Sequence, residues 1–363
     1  VGLLYSAFTY FLGFKVNSGE YKLMGLAPYG NPKSDETLKF IKLIKNNLVD
    51  VKDDGSIWLN QKFYNYTTGL TMVKDNKWTD LFGFPRRTEE IEIEQNHCNL
   101  ALAIQVVTEE IVIKMAKEAK KLTNSENLCL AGGVALNCVA NGKLQKEGVF
   151  KNIYIQPAAG DAGGALGAAQ AAYHIYYDEK RIADDLNDVM EGSYLGPSFS
   201  EKEVMSVNKK TKAIYKKYYE INDLNKYIAS QISDGKVVGW FQGRMEFGPR
   251  ALGNRSILGD ARNPEMQKKL NLKIKYREGF RPFAPSVLSE DSKKLFDINV
   301  DSPYMLLVAP ISDSIKKKLP DNYYNLSLWD RLYTERSILQ SITHLDYSAR
   351  IQTVHKETNE KYY

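Results

Sequence analysis

Two glycine turns about thirty residues apart constrain this chain more than any other feature. Residues 127–167 read NLCLAGGVALNCVANGKLQKEGVFKNIYIQPAAGDAGGALG. A short apolar strand, Leu128 to Ala131, runs into Gly132-Gly133 and a helix-compatible stretch from Val134 to Gln145. A second strand, Phe150 to Gln156, runs into Gly160-Asp161 and a helix rich in small residues. Two adjacent strand ends that each feed a helix through glycines suit an anion. Glycine lets the backbone approach closely, and first-turn N–H groups and the helix dipole face the ligand. Asp161, the acid of the second turn, reads either as a helix N-cap or as a carboxylate for a metal ion or a hydroxyl group. The spacing is neither GxxxxGK[ST] nor GxGxxG.

The arginines form the second dense feature. GRMEFGPRALGNRSILGDAR places Arg244, Arg250, Arg255 and Arg262 within nineteen residues, and KYREGFRPFAPS adds Lys275, Arg277 and Arg281. Guanidinium groups on loops stiffened by proline and glycine suit phosphate or carboxylate, because the planar fork binds both oxygens at once and stays charged. The competing reading pairs them with Glu246, Asp260 and Glu278 at the surface.

Four blocks in order carry a resemblance: EYKLMGLAPYG (Glu20 to Gly30), GGVALN (Gly132 to Asn137), GDAGGALGAA (Gly160 to Ala169) and GRMEFGPRALGNRSIL (Gly243 to Leu258). Together they resemble the O-carbamoyltransferases of the nodulation-factor and antibiotic-tailoring type, from residue 1 to about 310 and again over 343–363. The resemblance implies an α/β fold. An actin/hexokinase-type ATPase-fold (Kae1-like) lobe, residues 1–190, would precede an α+β YrdC-like domain, residues 191–363. It implies carbamoyl phosphate and ATP as substrates, carbamoyl-adenylate as intermediate, and a hydroxyl of a sugar-containing or natural-product acceptor. Arg244, Arg250, Arg255, Lys275 and Arg281 would hold phosphates. Gly132, Gly133, Asn137 and Gly160 would face the adenylate, with Glu20 and Lys22 on a loop lining the crevice. Asp161 would ligate a divalent metal, iron in the relatives. His344 and Arg350, in THLDYSAR, would line the carbamoyl-phosphate pocket. The family's paired histidine ligands are absent, so the resemblance also implies that part of the first lobe precedes Val1 and that strands follow Tyr363. A threonylcarbamoyl-adenylate enzyme acting on tRNA, and a non-catalytic nucleotide-binding protein of the same fold, are the alternatives.

Composition narrows the rest. A chain of 363 residues, 43% apolar and 26% charged, is long enough for two cores. Forty-nine basic against 44 acidic residues leave +5, which argues for neither nucleic acid nor a membrane surface. Cys98, Cys129 and Cys138 fit no metal spacing and read as reduced core residues of a cytoplasmic protein. No run of eighteen apolar residues occurs.

Among the other elements, apolar residues at helical spacing (Leu100, Ile104, Val107, Ile111, Met115, Leu122) predict a core helix over 99–122, with His97 capping its start or lying at the surface. Ser200 and Glu203 predict a capping box. The run KKTKAIYKKYYEI from Lys209 predicts an exposed edge strand, and 312–339 a mobile or variable loop.

Overall fold

The computed structural model of the chain describes residues 1–182, 188–323 and 326–363. The fold is mixed α/β, with small sheets set among helices. Its first half is built on α1 (Gly2–Phe11), α2 (Glu20–Leu26), α3 (Asp35–Leu43), α4 (Asp75–Phe82) and α5 (Gln95–Thr123). Aromatic rings nucleate the core: Phe8 and Phe11 of α1 pack on Trp78 and Phe82 of α4 with centroids 4.7–5.9 Å apart. Such ring pairs add to the area they bury.

Helix α5 runs through the middle. It starts at Gln95 rather than Asn99, because Glu94 and His97 close a capping box in which His97 Nδ1 accepts the Glu94 N–H at 2.9 Å. Leu100, Ile104, Val107 and Ile111 are fully buried, whereas Met115 and Leu122 are 49% and 75% exposed. The apolar stripe therefore outruns the core that covers it.

A hairpin of β1 (Val49–Val51) and β2 (Ile57–Leu59) precedes α5. After it, β3 (Asn127–Leu130) and β4 (Asn152–Ile155) pair in parallel, Asn127 opposite Asn152, through the crossover helix α6 (Cys138–Glu147). The sequence expectation of one helix from Val134 to Gln145 is corrected. A 3₁₀ turn, Gly133–Leu136, comes first, and Asn137 ends it and caps α6. Helix α7 (Gly163–Ala171) follows the second glycine turn with no residue buried, and Tyr173, Ile175 and Tyr176 beyond it are exposed. The charged run around the expected domain boundary falls partly on residues 183–187, outside the described ones.

The second half holds α8 (Glu201–Thr211), α9 (Ile221–Ser233), the antiparallel pair β5 (Val238–Phe241) and β6 (Arg255–Leu258), and a three-stranded sheet. In that sheet β9 (Ser348–Val354) lies between β7 (Ser286–Leu288), to which it is parallel, and β8 (Leu307–Pro310), to which it is antiparallel. Ser200 and Glu203 form the expected capping box of α8.

Two further expectations are overturned. The lysine–tyrosine run is no strand: α8 extends to Thr211, Lys212 closes it in a left-handed conformation, and exposed irregular chain follows. No strand among the described residues pairs with it, and an alternating pattern without a partner ladder makes no sheet. The described residues of 312–339 are no mobile loop. Ile315, Tyr323, Leu332 and Arg336 in this segment are buried, and Arg336 donates to the carbonyls of Arg331, Leu332, Thr334 and Thr343.

The halves meet where α6 lies against β8. At Gly142 an added Cβ would stand 1.9 Å from the Val308 carbonyl oxygen, so only glycine permits this approach. Beside it, Asn141 Nδ2 donates to Ala135 O at 2.8 Å and Leu306 O at 3.1 Å, one contact in each half. Among the described residues no helix is long and apolar enough to cross a membrane.

Candidate functional site

The first glycine turn faces open space. Gly132 leaves β3 with φ +92°, a conformation that favours glycine, and no atom lies within 4 Å of where a side chain would begin at Gly132 or Gly133. Asn137, expected to face the adenylate, is 8% exposed. Its Oδ1 accepts the Ala140 N–H at 3.1 Å, and its amide pairs with that of Gln105 through two 3.1 Å hydrogen bonds. The second turn places Gly160 beside an exposed Asp161 whose carbonyl accepts the Gly164 N–H at 3.0 Å. Among the described residues no group of three or more His, Cys, Asp or Glu side chains could hold a metal.

Glu20 and Lys22 sit on α2 rather than on a loop. Glu20 Oε1 accepts from Ser6 Oγ at 2.7 Å and the Asn17 N–H at 2.9 Å, and Lys22 Nζ pairs with Glu278 at 2.6 Å.

The structure sorts the arginines into two groups. In the first, the charge is engaged locally. Arg244 donates to Leu195 O at 2.6 Å and Gly196 O at 3.0 Å. Arg255 lies 3.6 Å from the centre of the Phe241 ring and donates to Gln242 O at 2.5 Å, Asn254 O at 2.8 Å and Gly243 O at 3.1 Å. Arg262 pairs with Asp260 at 2.8 Å, and Arg281 with Glu278 at 3.4 Å while covering Tyr21. Buried Glu246 holds the loop in shape, one carboxylate oxygen accepting the N–H groups of Leu252, Asn254 and Arg255 at 2.7, 2.9 and 3.1 Å.

Arg250, Arg277, Arg350 and Lys275 form the second group, and none of them has a carboxylate partner among the described residues. Arg250 reaches across to the first half, its Nη2 3.4 Å from Leu136 O, while its Nε is buried without a partner. Arg350, on β9 opposite Val308, lies beside the Cys138 thiol and keeps a buried Nε unpartnered. Burial first, then Arg250 and Arg277, push its guanidinium below the ordinary value. Arg277 bonds Asn271 Oδ1 at 2.7 Å, lies 4.7 Å from the Phe283 ring, and is pushed down to about 10 by burial and by Arg281. Lys275 is lowered by burial and by Arg277 and Arg281. Like charges crowded together with donors buried and unanswered are costly unless an anion joins them.

His344 stands nearby on the second-half side. Its Nδ1 faces Ser348 Oγ at 3.2 Å, its Nε2 is buried without a partner, and burial lowers its pKa, so the ring is neutral at pH 7.

Two family models match the chain. Residues 1–170 match the family model described as carbamoyltransferase N-terminus, and residues 229–363 the model described as carbamoyltransferase C-terminus. This chain belongs to the carbamoyltransferase family. Over its whole length it is 54% identical to an uncharacterized protein of Synechocystis sp. and 33% identical to the nodulation protein NolO of Bradyrhizobium diazoefficiens, covering 58% and 59% of those proteins. Over 74% of its length it is 31% identical to the 3'-hydroxymethylcephem-O-carbamoyltransferase of Streptomyces clavuligerus, covering 44% of that protein. The chain thus spans about half to three-fifths of the curated relatives it matches.

Within this carbamoyltransferase chain, the cationic cluster draws on three separate stretches: the arginine loop, the segment around Arg277, and β9. Its members contact Leu136 and Cys138, the two residues flanking Asn137 in the glycine turn. The contribution of the cysteine was not legible in the sequence, where it read only as core. Cys98 and Cys138 are buried, but Cys129 is exposed, correcting the expectation that all three lie in the core. Gln105 and Glu109 were also missed. The available signal was two polar residues four apart, on one face of a helix that is otherwise apolar there.

Proposed function

We propose that this chain carries the carbamoyl-phosphate site and part of the transfer site of an O-carbamoyltransferase. Arg250, Arg350, Arg277 and Lys275 hold the phosphate of carbamoyl phosphate and the phosphates of ATP, and Gly132 and Gly133 face the adenylate. Arg244 and Arg255 shape the loop that carries Arg250. In this reaction water displaces phosphate from carbamoyl phosphate, leaving carbamate. A carbamate oxygen then attacks the α-phosphorus of ATP, giving carbamoyl-adenylate as pyrophosphate leaves. The hydroxyl of a sugar-containing or natural-product acceptor finally attacks the carbamoyl carbon, loses its proton and releases AMP.

The cations neutralise oxygens that gain charge as each phosphate departs, an effect strengthened by their partial burial. A Kae1-like lobe joined to a YrdC-like domain is the architecture in which this reading places the two steps. Asp161 is the residue of this chain that would ligate a divalent metal, and no step is assigned to that metal.

The observation that supports the reading is the group of guanidinium ions with buried, unanswered donors at the junction of the halves. Isothermal titration of carbamoyl phosphate, with and without a non-hydrolysable ATP analogue, tests it. Charge-assisted hydrogen bonds contribute about 1.5–3 kcal/mol each, so Arg250→Ala and Arg350→Met should each weaken binding roughly 10- to 100-fold. Unchanged affinity in both variants would sink the reading.

A further inference from the structure

The glycine turn is gripped from two sides, and only one grip belongs to the anion cluster. On the outer side Arg250 meets Leu136 O and Arg350 meets the Cys138 thiol. On the inner side, between those two residues, Asn137 is clasped by Gln105 of α5. Every hydrogen-bonding position of the Gln105 amide is filled. Its oxygen accepts from Tyr5 OH at 2.9 Å and Asn137 Nδ2 at 3.1 Å, and its nitrogen donates to Glu109 Oε1 at 2.8 Å and Asn137 Oδ1 at 3.1 Å. Gln105, Glu109 and Asn137 are 2%, 4% and 8% exposed, and Lys143 of α6 pairs with the other oxygen of Glu109. No other side chain offers two donors and two acceptors at this reach, and a buried network with one member missing leaves donors unanswered.

We propose that Gln105 is a positioning residue for the anion site: by clasping Asn137 it fixes the turn that presents Leu136 O and the Cys138 thiol to Arg250 and Arg350. The inference rests on the reading of that cluster as a phosphate site. Gln105 touches no substrate in this arrangement and acts through the turn. Its two glycines would otherwise leave the segment from Gly132 to Asn137 free to take several conformations, and each would hold the arginines differently.

Two built-in thiols report on the clasp. Cys138 lies at the end of the turn and Cys98 on α5 with Gln105, and both are buried. Alkylation by iodoacetamide, resolved by peptide mass spectrometry, is followed in the wild type, in Gln105→Leu and in Asn137→Ser. Serine can still cap α6 but cannot pair with Gln105. In the same proteins the affinity for inorganic phosphate is measured by titration.

Both variants are expected to speed alkylation of Cys138 about tenfold or more while Cys98 stays protected, and to weaken phosphate binding several-fold. Gln105→Leu removes four hydrogen bonds and Asn137→Ser the two to Gln105, which supports changes of that order. Two results overturn the proposal: Cys138 as protected in both variants as in the wild type, or Cys98 opening together with it, which marks general loosening. Failure of phosphate to bind the wild type while the variants free Cys138 would instead overturn the phosphate-site reading, and with it the role assigned to Gln105.

Discussion

Replacing Gly142 by alanine sets two effects of opposite sign against each other. In the interior of a helix, alanine is favoured over glycine by about 0.5–1 kcal/mol, because the unfolded chain loses freedom. At Gly142 the new Cβ would stand 1.9 Å from the Val308 carbonyl oxygen and 3.1 Å from its nitrogen. Ordinary contact begins near 3.4 Å, so α6 and β8 must separate by about 1.5 Å. The obstacle is backbone on both sides, and no rotamer relieves it. Overpacking of this kind costs roughly 1–3 kcal/mol or more, so the net change is a destabilisation of about 1–2 kcal/mol. The separation also draws Cys138 from Arg350, so phosphate affinity should fall with stability. Gly164, in α7 with nothing within 4 Å of its added Cβ, is the control, and alanine there should stabilise by about 0.5–1 kcal/mol. Denaturant midpoints of both variants decide the matter. A Gly142→Ala protein as stable as Gly164→Ala would refute the contact between the halves.

Three further outcomes are expected. Glu246→Ala leaves the N–H groups of Leu252, Asn254 and Arg255 without their acceptor, at about 1–3 kcal/mol each, whereas Glu246→Gln keeps an oxygen in place. Hydrogen exchange at those amides should accelerate strongly in the first variant and little in the second. Arg244→Met loses two bonds to backbone carbonyls and should lower stability by about 1–3 kcal/mol while phosphate affinity stays within roughly threefold, opposite to the pattern expected for Arg350→Met. The His97 pKa is pushed down to about 4 by burial and by Arg87. The folded protein therefore keeps this ring neutral while the unfolded chain takes up a proton below about 6.5, and stability falls as pH drops from about 6.5 to about 4. His97→Gln retains an acceptor for the Glu94 N–H and removes the titration, so its midpoint should differ less between pH 7 and pH 4.5 than that of the wild type.

The sequence alone determined the elements whose cause is local. The β3 and β4 strands, the glycine turns between them and their helices, the α5 stripe and the Ser200–Glu203 capping box follow from residues within one or two turns of each other, which is where periodicity and capping act. The four family blocks are local in the same sense and led to the correct family. Tertiary structure decided the fate of each charge. Arg244 and Arg250 stand six residues apart in one loop, yet one is tied to the carbonyls of Leu195 and Gly196 and the other reaches Leu136 O with its buried Nε left without a partner. That difference depends on backbone brought from about fifty residues before the loop and more than a hundred, and no spacing within the loop encodes it. The lysine–tyrosine run shows the same limit, because a strand needs a neighbour and the described residues bring none. Asn137 was legible as part of a motif, but the direction of its side chain was set by Gln105, thirty-two positions earlier, whose amide finds its partners only once α5, α1 and the turn have packed together.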